Sequence, residues 1–171
     1  FYVLFPFTQL NLSVVENNLV ADMVGKKEAD IGFMIWGQEP PRNVELGSIG
    51  YVSFAIAVHQ SHPLLSDSNV VFDNVKDYHQ VLLKDSPLHY NLPLTRSNSI
   101  VNNLEGVTEI IKINNNWSLL PHHVISHHSD LRKLQVRGEE KDWLLQVDRV
   151  TRQKLGKAAQ WLVDKSTTLY T

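Results

Sequence analysis

LGSIGYVSFAIAVHQSHPLL, residues 46–65, decides how the rest of the chain is read. Gly47 and Gly50 read as a turn. Residues 51–58 then run as an apolar strand in which only Ser53 is polar. Aromatic and β-branched side chains without polar alternation are the pattern of a strand buried on both faces. The polar run His59-Gln60-Ser61 stops it, and Pro63, which has no N–H for a sheet ladder, lies beyond its end. The sequence on each side has its own alternation of strand and helix signals. The stretch is therefore expected to be a crossover strand that leaves one α/β lobe and enters another.

On the N-terminal side, residues 1–7 (FYVLFPF) read as the end of an apolar element stopped by Pro6. Residues 11–16 (NLSVVE) read as a short strand with Leu12 and Val14 on one face. Asn17 or Asn18 can cap a helix carrying Leu19, Val20, Met23 and Val24, with Gly25 at its end. A second strand follows at residues 29–35, so a parallel strand–helix–strand unit is expected. Residues 36–41 (WGQEPP) form the loop past its carboxyl end, where ligands bind in open α/β sheets.

On the C-terminal side, Asp73 is placed to cap a helix reaching Tyr78, and residues 80–84 (QVLLK) read as a strand. Asn102 with Glu105 resembles a capping box before a helix with Leu104, Val107, Thr108 and Ile111 on one face. Residues 117–120, 134–136 and 143–147 read as strands. Pro121 suits the first position of a helix, and residues 152–165 close the chain as an amphipathic helix.

Composition removes several classes. A chain of 171 residues with 43% hydrophobic and 20% charged residues can bury a core or two small ones. A net charge of −2, with no basic stripe, argues against this segment itself gripping nucleic acid. There is no cysteine, hence no thiol chemistry, and no run long enough to span a membrane. No charged leader precedes the apolar start.

Taken in order, these signals resemble the effector-binding domain of LysR-type transcriptional regulators. The resemblance is carried by Phe5-Pro6, the strand ending at Glu16, the helix with Gly25, and Asp30-Ile31-Gly32. Further along it rests on His62-Pro63-Leu64, Trp117-Ser118-Leu119-Leu120-Pro121, and the closing helix around Trp161-Leu162. Asn114-Asn115-Asn116 stand where that family carries glycines, and its first strand and DNA-binding head are missing from the chain.

The resemblance implies an α/β fold of two Rossmann-like lobes joined by crossover strands, like the type 2 periplasmic-binding-protein fold. Lobe I would comprise residues 1–57 plus 148–171, and lobe II residues 58–147. A winged helix-turn-helix would precede them in the full-length protein. It also implies a non-enzymatic, cytoplasmic sensor that binds a small molecule between its lobes and changes the arrangement of a homodimer or homotetramer. DNA would be met only through the missing N-terminal domain, and no membrane is involved. A solute-binding protein of a transport system is the alternative on the same fold.

Strand ends combined with this resemblance nominate the effector contacts. They are Asn17 and Asn18 after the first strand, Trp36 and Gly37 after the second, Asp85 and Ser86 after the strand of lobe II, and Trp117 with Ser118. Helix capping competes as the role of each asparagine, and core packing as the role of each tryptophan.

Other chemistries find less support. His123 and His127 have the i, i+4 spacing of a zinc pair, but a zinc site needs three or four ligands and no HExxH glutamate is present. There is no Gly-x-Ser-x-Gly elbow and no phosphate-cradling glycine loop. No catalytic residue, metal or cofactor is assigned.

Overall fold

A computed structural model of the chain describes residues 1–35, 40–84, 86, 88, 95–138 and 142–167. In chain order the elements are a 3-10 turn (Asn17–Leu19), α1 (Val20–Gly25), β1 (Ile31–Ile35), β2 (Val44–His59), a second 3-10 turn (Pro63–Ser66), α2 (Phe72–Lys76) and β3 (Gln80–Leu83). They continue with β4 (Asn98–Val101), α3 (Leu104–Ile111), β5 (Trp117–Pro121), α4 (His122–His127), β6 (Leu131–Lys133), β7 (Trp143–Arg152) and α5 (Lys157–Ser166). The chain separates into two compact units: residues 1–51 with the segment from 145 onward, and residues 52–144. β2 and β7 contribute residues to both.

In the first unit β1 pairs antiparallel with β7, from Ile31 opposite Thr151 to Ile35 opposite Val147. α1 packs on this pair through Ala21 and Val24, which share a core with Met34 and Val150. The contact is close because Gly32 has no side chain: a Cβ there would stand 2.4 Å from Val20 Cγ1. Asp30, just before β1, pairs with Arg152 at the end of β7. The rings of Phe1 and Phe5 lie 6.1 and 6.0 Å from Trp161 on α5.

In the second unit the apolar half of β2 pairs antiparallel with β5 along one edge and with β6 along the other. β3 lies parallel to both β4 and β5. One face buries Val81, Val107, Ile111, Leu120 and Ile125. A second cluster gathers Ile56, Val58, Val70, Val75, Trp117 and Leu134. Asn103 caps α3 by accepting from the Gly106 N–H at 2.7 Å.

The structure departs from the sequence-based expectations at several points. Residues 11–16 are not a strand. Leu12 and Val14 are exposed, and no strand pairs with the segment among the described residues. Alternation supplies propensity, but a strand forms only with a partner. The expected parallel unit is therefore absent, and β1 is paired with β7 instead.

Gly47 and Gly50 lie inside β2, which begins at Val44, rather than in a turn. Gly50 takes φ 150°, which favours glycine, and a Cβ on Gly47 would meet the Arg149 guanidinium at 3.0 Å. The cap of α3 is Asn103, not Asn102. At α2 it is Asn74 rather than Asp73 that closes the first turn, accepting from the Val71 N–H at 2.9 Å. Residues 134–136 are not a strand; that pairing belongs to β6, and Leu134 instead gives its N–H to the Ile56 carbonyl. The closing helix begins at Lys157, because β7 runs on to Arg152.

Candidate functional site

Asn17 does not cap a helix. Its carboxamide donates to the Ile35 carbonyl at 2.8 Å and accepts from the Ile35 N–H at 2.7 Å. A side-chain amide thus stands in for a neighbouring strand and pins the turn before α1 to the carboxyl end of β1. Asn18, next in sequence, is exposed. Trp36 and Gly37 lie outside the described residues, as does Asp85.

In the second unit the structure brings two nominated residues together. Ser86 and Ser118 line one small cavity of about 10 Å³, with Gln80, Leu82, Leu88 and Leu119 among its other walls. Ser118 is 1% exposed and its hydroxyl donates to the Val81 carbonyl at 2.5 Å. Its proton is therefore committed, and the oxygen's remaining lone pair is what it can offer a visitor. Gln80 is 2% exposed. Among the described residues no charged side chain lines the cavity.

Trp117 precedes Ser118 on β5 but is wholly buried in the second core cluster. Its ring meets Phe72 edge-on at 6.2 Å, and its indole N–H donates to the Tyr78 carbonyl at 3.3 Å.

One histidine is structural. His62 is buried; its Nδ1 accepts from the Leu64 N–H at 3.2 Å and Nε2 meets the Asn115 carbonyl at 3.0 Å. With Nδ1 accepting, the ring carries its proton on Nε2 and is neutral. Burial pushes the imidazole below its ordinary pKa, against a smaller upward pull from the Asn115 bond. Asn114 and Asn115 hold left-handed backbone, which is where asparagine replaces glycine at least cost.

Hydrolytic and metal chemistry find no complete constellation. His79 has Ser97 Oγ at 2.6 Å from Nδ1 and Ser99 Oγ at 2.9 Å from Nε2. A nucleophile and a base are thus in contact, but among the described residues no carboxylate orients the ring. His127 turns its Nδ1 onto the His123 carbonyl at 2.6 Å, away from joint chelation. Among the described residues no group of three or more His, Asp or Glu could hold a metal ion. No helix among them is long and apolar enough to cross a membrane.

Sequence reasoning missed Gln80. Its signal was present: a polar residue opening a run, Val81-Leu82-Leu83, that is otherwise core. Only packing reveals that it lines a cavity together with Ser86 and Ser118.

The LysR substrate binding domain family matches residues 1–166 of the chain. Solved structures with the same fold include the regulatory domain of CcmR from Synechocystis in complex with 2-PG. There the identity is 15%, the match covers 99% of this chain and 87% of that one, and the TM-score is 0.76. For the reduced OxyR regulatory domain from Pseudomonas aeruginosa the values are 14%, 98%, 86% and 0.75. For the BenM effector-binding domain with its effector benzoate they are 14%, 98%, 80% and 0.71. At such identities the likeness is one of fold. The chain spans 58% and 57% of two full-length BenM structures. With the family matched along almost the whole sequence, and with the mixed α/β architecture of these periplasmic-binding-protein-like domains, the chain belongs to the LysR substrate-binding domain family.

Proposed function

We propose that this chain is the effector-sensing part of a LysR-type transcriptional regulator. The observation that carries the reading is the family match over residues 1–166. The fold shared with the benzoate-bound BenM domain and the 2-PG-bound CcmR domain supports it. A small molecule binds this domain, and DNA is contacted by a winged helix-turn-helix elsewhere in the polypeptide. The regulator works as a homodimer or homotetramer in the cytoplasm and performs no catalysis.

The proposed effector contacts are Asn17, Asn18, Trp36, Gly37, Asp85, Ser86, Trp117 and Ser118. For binding to change transcription, the effector must prefer one arrangement of the oligomer over another. A tenfold preference supplies about 1.4 kcal/mol of coupling, and the same factor must appear in DNA affinity.

The test uses the full-length protein. Small molecules that raise the unfolding temperature of the domain are added to the regulator on its promoter DNA. The protected region should lengthen, shorten or shift when such a molecule binds. A full-length protein that carries a secretory leader and never binds duplex DNA would sink the reading in favour of a transport solute-binding protein.

A further inference from the structure

Just before β3, His79 stands between two serines, one beside β4 and one within it. Its Nδ1 lies 2.6 Å from Ser97 Oγ and its Nε2 lies 2.9 Å from Ser99 Oγ. A neutral imidazole has one N–H and one lone pair, so one hydroxyl donates to the ring and the other accepts from it. Hydrogen bonds given by O–H run shorter than those given by N–H. The two distances therefore assign the shorter bond to the Ser97 hydroxyl, donating to Nδ1, and the longer one to Nε2–H, donating to Ser99. Ser97 thus has its proton on a base, and Ser99 fixes the tautomer and tilt of that base.

The backbone holds the pair still. The Ser97 carbonyl accepts from the Gln80 N–H at 3.0 Å and from the hydroxyl of buried Thr95 at 2.7 Å. The His79 carbonyl accepts from the Trp117 N–H at 3.1 Å, which ties the base to β5. β3 and β4 are already paired from Gln80–Asn98 to Leu83–Val101, so the ring is not needed as a latch between them. Ser97 is exposed and open to a reagent, whereas His79 and Ser99 are half-buried.

An accessible hydroxyl aimed at a base that is itself steadied from behind is the arrangement of an activated nucleophile. Here the third place belongs to a neutral hydroxyl, which supports an imidazolium less than a carboxylate does. That confines the reaction to acyl donors with a good leaving group and leaves the ester slow to hydrolyse.

We propose that Ser97 is an acyl-acceptor site, taking one acyl group from a thioester with His79 as general base. Ser97 Oγ bonds to the thioester carbonyl carbon while Nδ1 takes the hydroxyl proton. The carbon–sulfur bond then breaks, and the departing thiolate recovers that proton from the imidazolium. The products are a serine ester and a thiol, and nothing is oxidised or reduced. The site goes beyond the sensor reading and does not depend on it.

The experiment is incubation of the 171-residue chain with S-phenyl thioacetate, followed by peptide mass spectrometry. Ser97 should gain an acetyl group ahead of Ser66 and Ser68, which are also exposed. Hydroxylamine should remove it, as it removes an ester and spares a lysine amide. His79→Gln should slow the step about a hundredfold, within the ordinary reach of a general base. Ser99→Ala should slow it by a smaller factor, and Ser99→Thr, which keeps the hydroxyl, should restore the rate. The unfolding temperature of each variant separates a lost rate from a lost fold.

Three results would overturn the proposal. One is acetylation of Ser97 no faster than that of Ser66 and Ser68, which needs no variant to read. Another is an unchanged rate in a folded His79→Gln chain. The third is an unchanged rate in Ser99→Ala, which removes the support for Ser97 as the donor to Nδ1. The sensor reading is judged separately, by promoter DNA and the full-length protein.

Discussion

At Gly32 the fold tolerates nothing larger than hydrogen. A methyl group there meets Val20 Cγ1 at 2.4 Å and Val24 Cγ2 at 3.3 Å, and both belong to α1. Gly32→Ala should therefore cost about 1–3 kcal/mol by overpacking. Urea unfolding measures it, and Val20→Ala in the same chain should return part of the loss, since contacting residues couple. Two strictly additive losses would show that the helix moves aside instead. His62 makes the fold sensitive to acid. Its native pKa is lowered, so its contribution is complete above the unfolded value of about 6.5 and is lost as pH falls below it. The unfolding midpoint, followed from about pH 8 to about pH 5, should fall more steeply in the parent than in His62→Gln. Identical slopes would place the acid sensitivity elsewhere. At this scale the sequence was only partly readable. Pro63 and the apolar run before it announced themselves, whereas the role of Asn17 depends on which distant backbone groups come within reach.

Elements whose signals were local came out where the sequence put them. The buried half of β2, the strand Gln80–Leu83 and the face of α3 carrying Val107, Thr108 and Ile111 all follow from apolar pattern. Elements that depend on partners did not. Gly47 reads as a turn residue until Arg149 is seen lying over it, and Leu134 and Val136 are core residues outside any named strand, held where Leu134 gives its N–H to the Ile56 carbonyl and Arg137 gives its own to the Val70 carbonyl. The cap of α3 tests the boundary directly. Asn103→Ala should cost about 1 kcal/mol, whereas Asn102→Ala should be near neutral, because only Asn103 accepts from the free Gly106 N–H. Thermal unfolding of the two variants decides between them, and the reverse order would move the helix start by one residue. The cavity shared by Ser86 and Ser118 lay beyond the sequence for a related reason. A cavity is made by what fails to fill space, and no pattern along one strand records that.

For the molecule as a whole, charge and symmetry set the expectations. A net charge of −2 without a basic stripe offers few cations to displace counterions from a duplex. The chain alone should show no salt-sensitive retention on DNA at physiological salt. Saturable retention in a gel-shift titration would move the DNA contact into this domain. The proposed homodimer would bury the same surface patch on both copies. Sedimentation should then show mass rising with concentration, and a monomer at every concentration would refute self-association of this segment. The amide clamp at Asn17 also gives a protein preparation a history. Asparagine is among the thermolabile side chains. Hydrolysis of its amide would replace the nitrogen that now donates to the Ile35 carbonyl with an oxygen, setting two acceptors face to face. Aged samples should therefore split into an intact fraction and an acidic one. In the acidic fraction the turn before α1 has let go of β1, and Asn17→Asp should reproduce that fraction from the day it is made.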